Sequence, residues 1–131
     1  MNIGLVAHDS KKELMVNFCI AYKNMLSKHD LYATGTTGQQ IEDNVELDVY
    51  KFLPGHLGGD GQMAAQIECN QMDALIFLRD PLTPSARDVG YEMLTQLCDA
   101  NNIPVATNLA SAELLILAID RGDLDWRNLY K

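Results

Sequence analysis

Five short apolar runs, each followed by a polar loop and a helical stretch, constrain this chain more than any other feature of it. The clearest is Ala74–Leu78, "ALIFL", apolar at every position. A half-exposed strand alternates apolar and polar side chains, so an unbroken run fits a strand covered on both faces, the habit of parallel sheets. "IGLVA" at 3–7 has the same character, and "LYAT" at 31–34, 49–52 and "IPVAT" at 103–107 complete the set. Leu14, Phe18, Tyr22, Met25 and Leu26 recur at helical spacing and predict a helix over Ser10–Lys28, with Ser10 and Glu13 at the spacing of a capping box. "GTTGQQIEDN" reads as a loop entering a second helix, and Met63, Ala64 and Ile67 predict a third, ending near Asn70. Val89, Met93, Leu97 and Ala100 mark a fourth, and Ser111–Arg121 forms a fifth that Gly122 ends. Such alternation predicts an α/β fold: a three-layer αβα arrangement around an open, mostly parallel five-stranded sheet, in one domain spanning 1–131.

Composition then narrows the partners. Eighteen acidic against ten basic residues give a net charge of −8, which argues against nucleic acid and anionic membrane. No apolar run approaches the roughly 20 residues that span a bilayer, and the first residues lack the order of a signal peptide. Cys19, Cys69 and Cys98 are far apart and odd in number, with no Cys/His ligand spacing. A metal site or disulfide framework is therefore not expected, and each cysteine reads as a small core residue in a reducing cytoplasm.

In sheets of this kind ligands bind beyond the carboxyl ends of the strands. The clusters "HDSKK", "TGTTG", "GHLGGDG", "RDPLTP" and "TNLAS" each follow a strand and should meet on one rim. "TGTTG" offers backbone N–H groups and hydroxyls at a helix start, suited to a phosphate; the plainer reading makes Thr37 a helix cap with Gln40 three residues on. Lys12 is either a solvated lysine or a phosphate ligand, placed where the helix dipole disfavours a cation. Asp60, among glycines, is either a helix cap or a base that removes a proton beside a carbonyl. Asp80, before Pro81, reads as a loop former or as hydrogen-bonding support for the site. The tail "DLDWRNLYK" offers Trp126 and Tyr130 to a neighbouring subunit or to the chain's own sheet.

Taken together, "LVAHDSKK", "LYATGTTG", "GGDGQ", "FLRDPLT" and "IPVATNLASAE" resemble the methylglyoxal synthase family in order and spacing over nearly the whole chain. That resemblance implies a flavodoxin-like or Rossmann-like fold in a cytoplasmic homohexamer. It also implies a lyase that converts dihydroxyacetone phosphate to methylglyoxal and inorganic phosphate, with no metal or organic cofactor. By the same resemblance Asp60 is the base, and His8, Lys12, Thr34, Thr36, Thr37 and Gly55 bind the substrate, chiefly its phosphate. Asp9 and Asp80 stand at the site's edge, and phosphate is expected as product and inhibitor.

The resemblance breaks after "DPL". The family supplies a histidine there and an aspartate three residues later, whereas this chain counts to Arg87 and Gly90, with Asp88 nearby. Arginine can stabilise an oxyanion but is a poor proton carrier near neutral pH. Pro54, His56 and Gly61 also depart from the family's loop, and His56 either compensates for the lost histidine or fills a surface turn. The competing reading is a non-catalytic phosphate or triose-phosphate binding module that kept the cradle and lost the chemistry.

Overall fold

A computed structural model describes residues 1–83 and 88–131, the side chain of Asp88 excepted. Its sheet holds β1 (Asn2–Ala7), β2 (Asp30–Ala33), β3 (Val49–Lys51), β4 (Ala74–Leu78) and β5 (Val105–Ala106) in the order β3-β2-β1-β4-β5. Every pairing is parallel, with Leu5 opposite Ala33 and Ile76, and Ala7 opposite Leu78. Five helices of ten or more residues flank it: α1 (Lys12–Ala21), α3 (Gly35–Asn44), α4 (Gly59–Glu68), α5 (Asp88–Ala100) and α6 (Leu109–Asp120). The one-turn α2 (Lys23–Leu26) follows α1.

The chain first builds β1, β2 and β3 outward, then returns to add β4 and β5 on the other side of β1. Right-handed crossovers then put the helices of the outward leg on one face and those of the return leg on the other. Ile3, Leu5, Ala7, Leu31, Ala33, Ala74, Ile76 and Leu78 pack with α1, α3 and α6. Val6, Leu75 and Phe77 pack with Met63 and Ile67 of α4 and Leu94 and Cys98 of α5. Neighbouring residues of β1 and β4 thus feed different cores, which is why "ALIFL" carries no polar residue. Strand order reverses between β1 and β4, and the carboxyl ends there form the crevice in which doubly wound folds place ligands.

Local readings need four corrections. The single helix expected over Ser10–Lys28 is broken at Tyr22 (φ −111°, ψ 24°), and the restart as α2 delivers Leu26 to the core. No capping box forms at its start: Asp9–Lys11 is a 3-10 turn, and the Ser10 hydroxyl donates to Asp80 Oδ2 at 2.6 Å. A charged acceptor makes the stronger bond, so the long-range partner prevails. The buried face of α5 is Gly90, Leu94 and Cys98, with Tyr91 and Leu97 beside it, whereas Val89, Met93 and Ala100 face outward. Cys69, just past the end of α4, is exposed, while Cys19 and Cys98 are core residues as expected.

The tail packs on its own chain through a residue the sequence did not single out. Arg127, 3% exposed, donates from Nε to Asp73 Oδ1 (3.1 Å), from Nη1 to Asn102 O (3.1 Å), and from Nη2 to Asn70 Oδ1 (2.6 Å) and Met72 O (3.2 Å). Asp73 also accepts from Lys131 Nζ (2.6 Å) and from the backbone N–H of Asn2 (2.8 Å). Asn70 and Asn102 sit at positive φ (55° and 54°), which turns the chain toward the guanidinium. Trp126 and Tyr130 remain largely exposed beside it.

Candidate active site

Parallel strands set the site by ending together. Residues 8, 34 and 79 are the first beyond β1, β2 and β4, whose paired neighbours lie about 4.8 Å apart. His8 is buried: its N–H donates to Leu78 O (3.1 Å), and its Nδ1 accepts from the backbone N–H of Asp80 (2.9 Å). An amide can only donate, so Nδ1 holds no proton, and the neutral ring carries its hydrogen on Nε2. The ring meets Phe77 edge-on at 5.3 Å, Phe77 meets Tyr91 likewise at 5.2 Å, and the Arg79 guanidinium lies 4.4 Å over Tyr91. Sequence reading missed this stack, although an arginine directly after an apolar strand was its visible trace.

Asp80 braces the crevice. Its carboxylate accepts from the Ser10 hydroxyl and from the backbone N–H groups of Leu82 (3.0 Å) and Thr83 (3.2 Å). The Ser10 bond, followed by the Leu82 amide and the Thr83 side chain, pulls its pKa down to about 2, so it stays ionised and carries no proton at neutral pH. Lys12, 6% exposed, donates from Nζ to Ala7 O at 2.9 Å and lies 3.1 Å from Asp9 Oδ1, whose side chain is almost fully exposed. A buried ammonium needs anionic or carbonyl partners, and this one is held at the end of β1 rather than left in solvent.

Across β1, the helix begins earlier than expected. Thr34 is the N-cap of α3 without a side-chain cap bond, so "GTTG" is the helix's own first turn, and Thr37 caps nothing. Gly35 N–H is taken by Leu53 O (3.2 Å), but the amides of Thr36 and Thr37 have no carbonyl one turn before them in the helix. Thr37 is 1% exposed, and its buried hydroxyl has no hydrogen-bond partner among the described residues. Such a group costs about 1–3 kcal/mol until something satisfies it. This end of α3 combines a partial positive charge, open donors and a waiting hydroxyl, which suits an oxyanion.

The glycine loop explains itself by close approach. A Cβ on Gly35 would lie 2.9 Å from Phe52 O and 3.1 Å from Pro54 N, and one on Gly59 would lie 2.9 Å from the Leu53 carbonyl carbon and nearer still to its oxygen. Glycines therefore let the first turns of α3 and α4 close on the same segment, 52–54, which the Gln62 side chain also pins by accepting from Leu53 N–H (2.8 Å). Gly58, at φ 109°, is the N-cap of α4, so Asp60 falls in the first turn and does not cap the helix. It is half-buried against α5. Gly55 is half-buried on the 3-10 turn Gly55–Leu57, where His56 is exposed. Thr36 and Asp9 are exposed at the rim.

A family model described as MGS-like domain matches residues 14–107. The methylglyoxal synthase of Caldicellulosiruptor saccharolyticus is 60% identical over 129 residues, covering 98% of this chain and 92% of its own. That of Alkaliphilus metalliredigens is 53% identical over 131 residues, 100% of this chain and 98% of its own. The chain belongs to the methylglyoxal synthase family. The crystal structure of methylglyoxal synthase from Elizabethkingia anophelis NUHP1 superposes with a TM-score of 0.79 at 36% identity, over 88% of this chain and 76% of that one.

Within this methylglyoxal synthase-family fold, the expected residues His8, Lys12, Thr34, Thr37 and Asp60 all come from first turns or strand ends on the same rim. Arg87 lies outside the described residues, as does the side chain of Asp88. Gly90 is buried on α5, in contact range of Asp60. Among the described residues no cluster of His, Cys, Asp and Glu could hold a metal ion. Nor is any described helix long and apolar enough to cross a membrane.

Proposed function

We propose that this chain is a methylglyoxal synthase, a carbon–oxygen lyase that converts dihydroxyacetone phosphate to methylglyoxal and inorganic phosphate. One observation carries the reading: a carboxylate, Asp60, stands in the first turn of α4, and that turn closes on the same loop as the open amides and unsatisfied Thr37 hydroxyl of α3. A pure phosphate binder gains nothing from an anion there.

The α3 amides and the hydroxyls of Thr34, Thr36 and Thr37 take the phosphate oxygens, with Gly55 at the loop side and Lys12 supplying charge. Asp60 removes a proton from the hydroxymethyl carbon, and the electron pair forms an enediolate with the neighbouring carbonyl. The Nε2–H of His8 is a donor for a substrate oxygen, and Asp80 keeps that ring in its tautomer. The enediolate electrons then expel phosphate as its C–O bond breaks. The hydroxyl proton leaves with the phosphate as the aldehyde forms, and the resulting enolate takes, at the carbon that phosphate left, a proton to balance the one Asp60 removed, which gives methylglyoxal. Oxidation state is conserved across the two fragments, so no redox partner is consumed. The family resemblance also supports an assembly of identical subunits.

The test is incubation with dihydroxyacetone phosphate while both methylglyoxal and phosphate are followed. Equal release of the two, cut by about 10²–10⁴ in Asp60→Asn, is expected of a positioned base. Phosphate binding without turnover, regained on Arg87→His, would replace the proposal with a binding module.

A further inference from the structure

Gly90 stands in the first turn of α5 and is buried, although glycine is a poor helix former and alanine would suit a buried helical site better. The reason lies across the crevice. A Cβ built at Gly90 would stand 3.0 Å from Asp60 Cγ, closer still to Oδ2, and 3.5 Å from Asp60 Cβ. No real Cβ tolerates the nearest of these, and the obstructing atoms are the free end of a side chain rather than backbone. The Asp60 carboxylate therefore rests in the space that a side chain at position 90 would fill.

We infer that Gly90 is a positioning residue: the space left by its missing side chain, where the family carries an aspartate, admits the Asp60 carboxylate in the orientation it takes in this chain. This rests on the reading of Asp60 as the base. α4 and α5 pack on each other through Met63, Ile67, Leu94 and Cys98 of the shared core, so the backbones on both sides of the seat are fixed. Added volume at position 90 must be absorbed by the carboxylate, which rotates away from the crevice. A base displaced by about 1 Å loses roughly 10–100-fold in rate, while the amides and hydroxyls of the α3 cradle keep their places.

Gly90→Ala tests this, with Gly61→Ala as the matched control, because a Cβ at Gly61 meets nothing within 4 Å, although it lies next to Asp60 in sequence. Five quantities are measured on the full chain: kcat and KM for dihydroxyacetone phosphate, Kd for inorganic phosphate, Tm, and the ¹³C resonance of the Asp60 carboxyl, assigned by its loss in Asp60→Asn. Gly90→Ala is expected to move that resonance and lower kcat 10–100-fold, leaving KM and phosphate Kd within twofold and Tm equal or higher. Gly61→Ala is expected to match the wild type.

An unmoved resonance overturns the inference, as does a moved one with undiminished kcat. Loss of Tm and phosphate affinity together with kcat overturns it too, since Gly90 would then merely hold the fold. An equal kcat loss in Gly61→Ala would also count against it, pointing to general stiffening of the helices. If the wild type turns over no dihydroxyacetone phosphate, the reading of Asp60 as base fails, while the carboxyl resonance still decides whether Gly90 seats it.

Discussion

Replacing Arg127 by methionine keeps most of the side chain's volume and removes its charge. The guanidinium is nearly fully buried and gives up four hydrogen bonds, to Asp73, Asn70, Asn102 O and Met72 O. Removing one partner of a buried ion pair costs about 3–5 kcal/mol, because the other charge stays behind without water. Asp73 keeps Lys131 and the Asn2 N–H, so the lower end, about 3 kcal/mol, applies. Unfolding entropy of about 2.1 cal/mol/K per residue makes roughly 0.28 kcal/mol/K for a chain of this length, and the loss becomes a fall in Tm of about 11 °C. Calorimetry at matched protein concentration measures it, since association of subunits would make Tm depend on concentration. The double variant Asp73→Asn with Arg127→Met removes the stranded charge and should lose less than the two single changes added together. Turnover should hold, because Asn2 and Asp73 lie at the amino end of the sheet and Asp60 at the other. A fall below about 3 °C, or strict additivity in the cycle, would refute the view that Arg127 neutralises Asp73.

Three further outcomes are expected. Burial alone would raise the Asp73 pKa, but bonds from Lys131, Asn2 and Arg127 outweigh it and hold it below its ordinary 3.8. The resulting stability is fully present above that value and drains away as pH falls through the folded pKa, so Asp73→Asn should show a flatter loss of Tm below pH 4 than the wild type. Gly59→Ala drives a Cβ into the Leu53 carbonyl, an overpacking of backbone that should cost about 1–3 kcal/mol in urea unfolding. Burial pushes Cys19 and Cys98 up to about 12, so a thiol reagent should label one cysteine, Cys69, in native protein and all three in denaturant. Labelling of two or three in the native state would contradict the packing.

The number and type of the main elements were legible because each carries its own local signal. "ALIFL" is apolar throughout since both faces of β4 are covered, and the loops after the strands share a rim since parallel strands end on the same side. Candidate residues at strand ends could thus be gathered from sequence alone, as His8, Lys12, Thr34, Thr37, Asp60 and Asp80 were. Their partners could not, because hydrogen-bond choice is settled by what arrives from elsewhere in the chain. Ser10 abandons a local cap for Asp80, 70 residues on, and the space that seats Asp60 is set by a glycine 30 positions later. Helical spacing alone likewise named Val89 and Met93 for α5, whereas the packing of α4 and α5 around one core selected Gly90, Leu94 and Cys98. Sequence by itself determined the layers and the rim, through periodicity and apolar runs that act over a few residues. Only the tertiary structure decided which carboxylate braces the crevice, which one lies in the space at Gly90 and where the tail is locked, because those depend on burial and charge brought together across the whole chain.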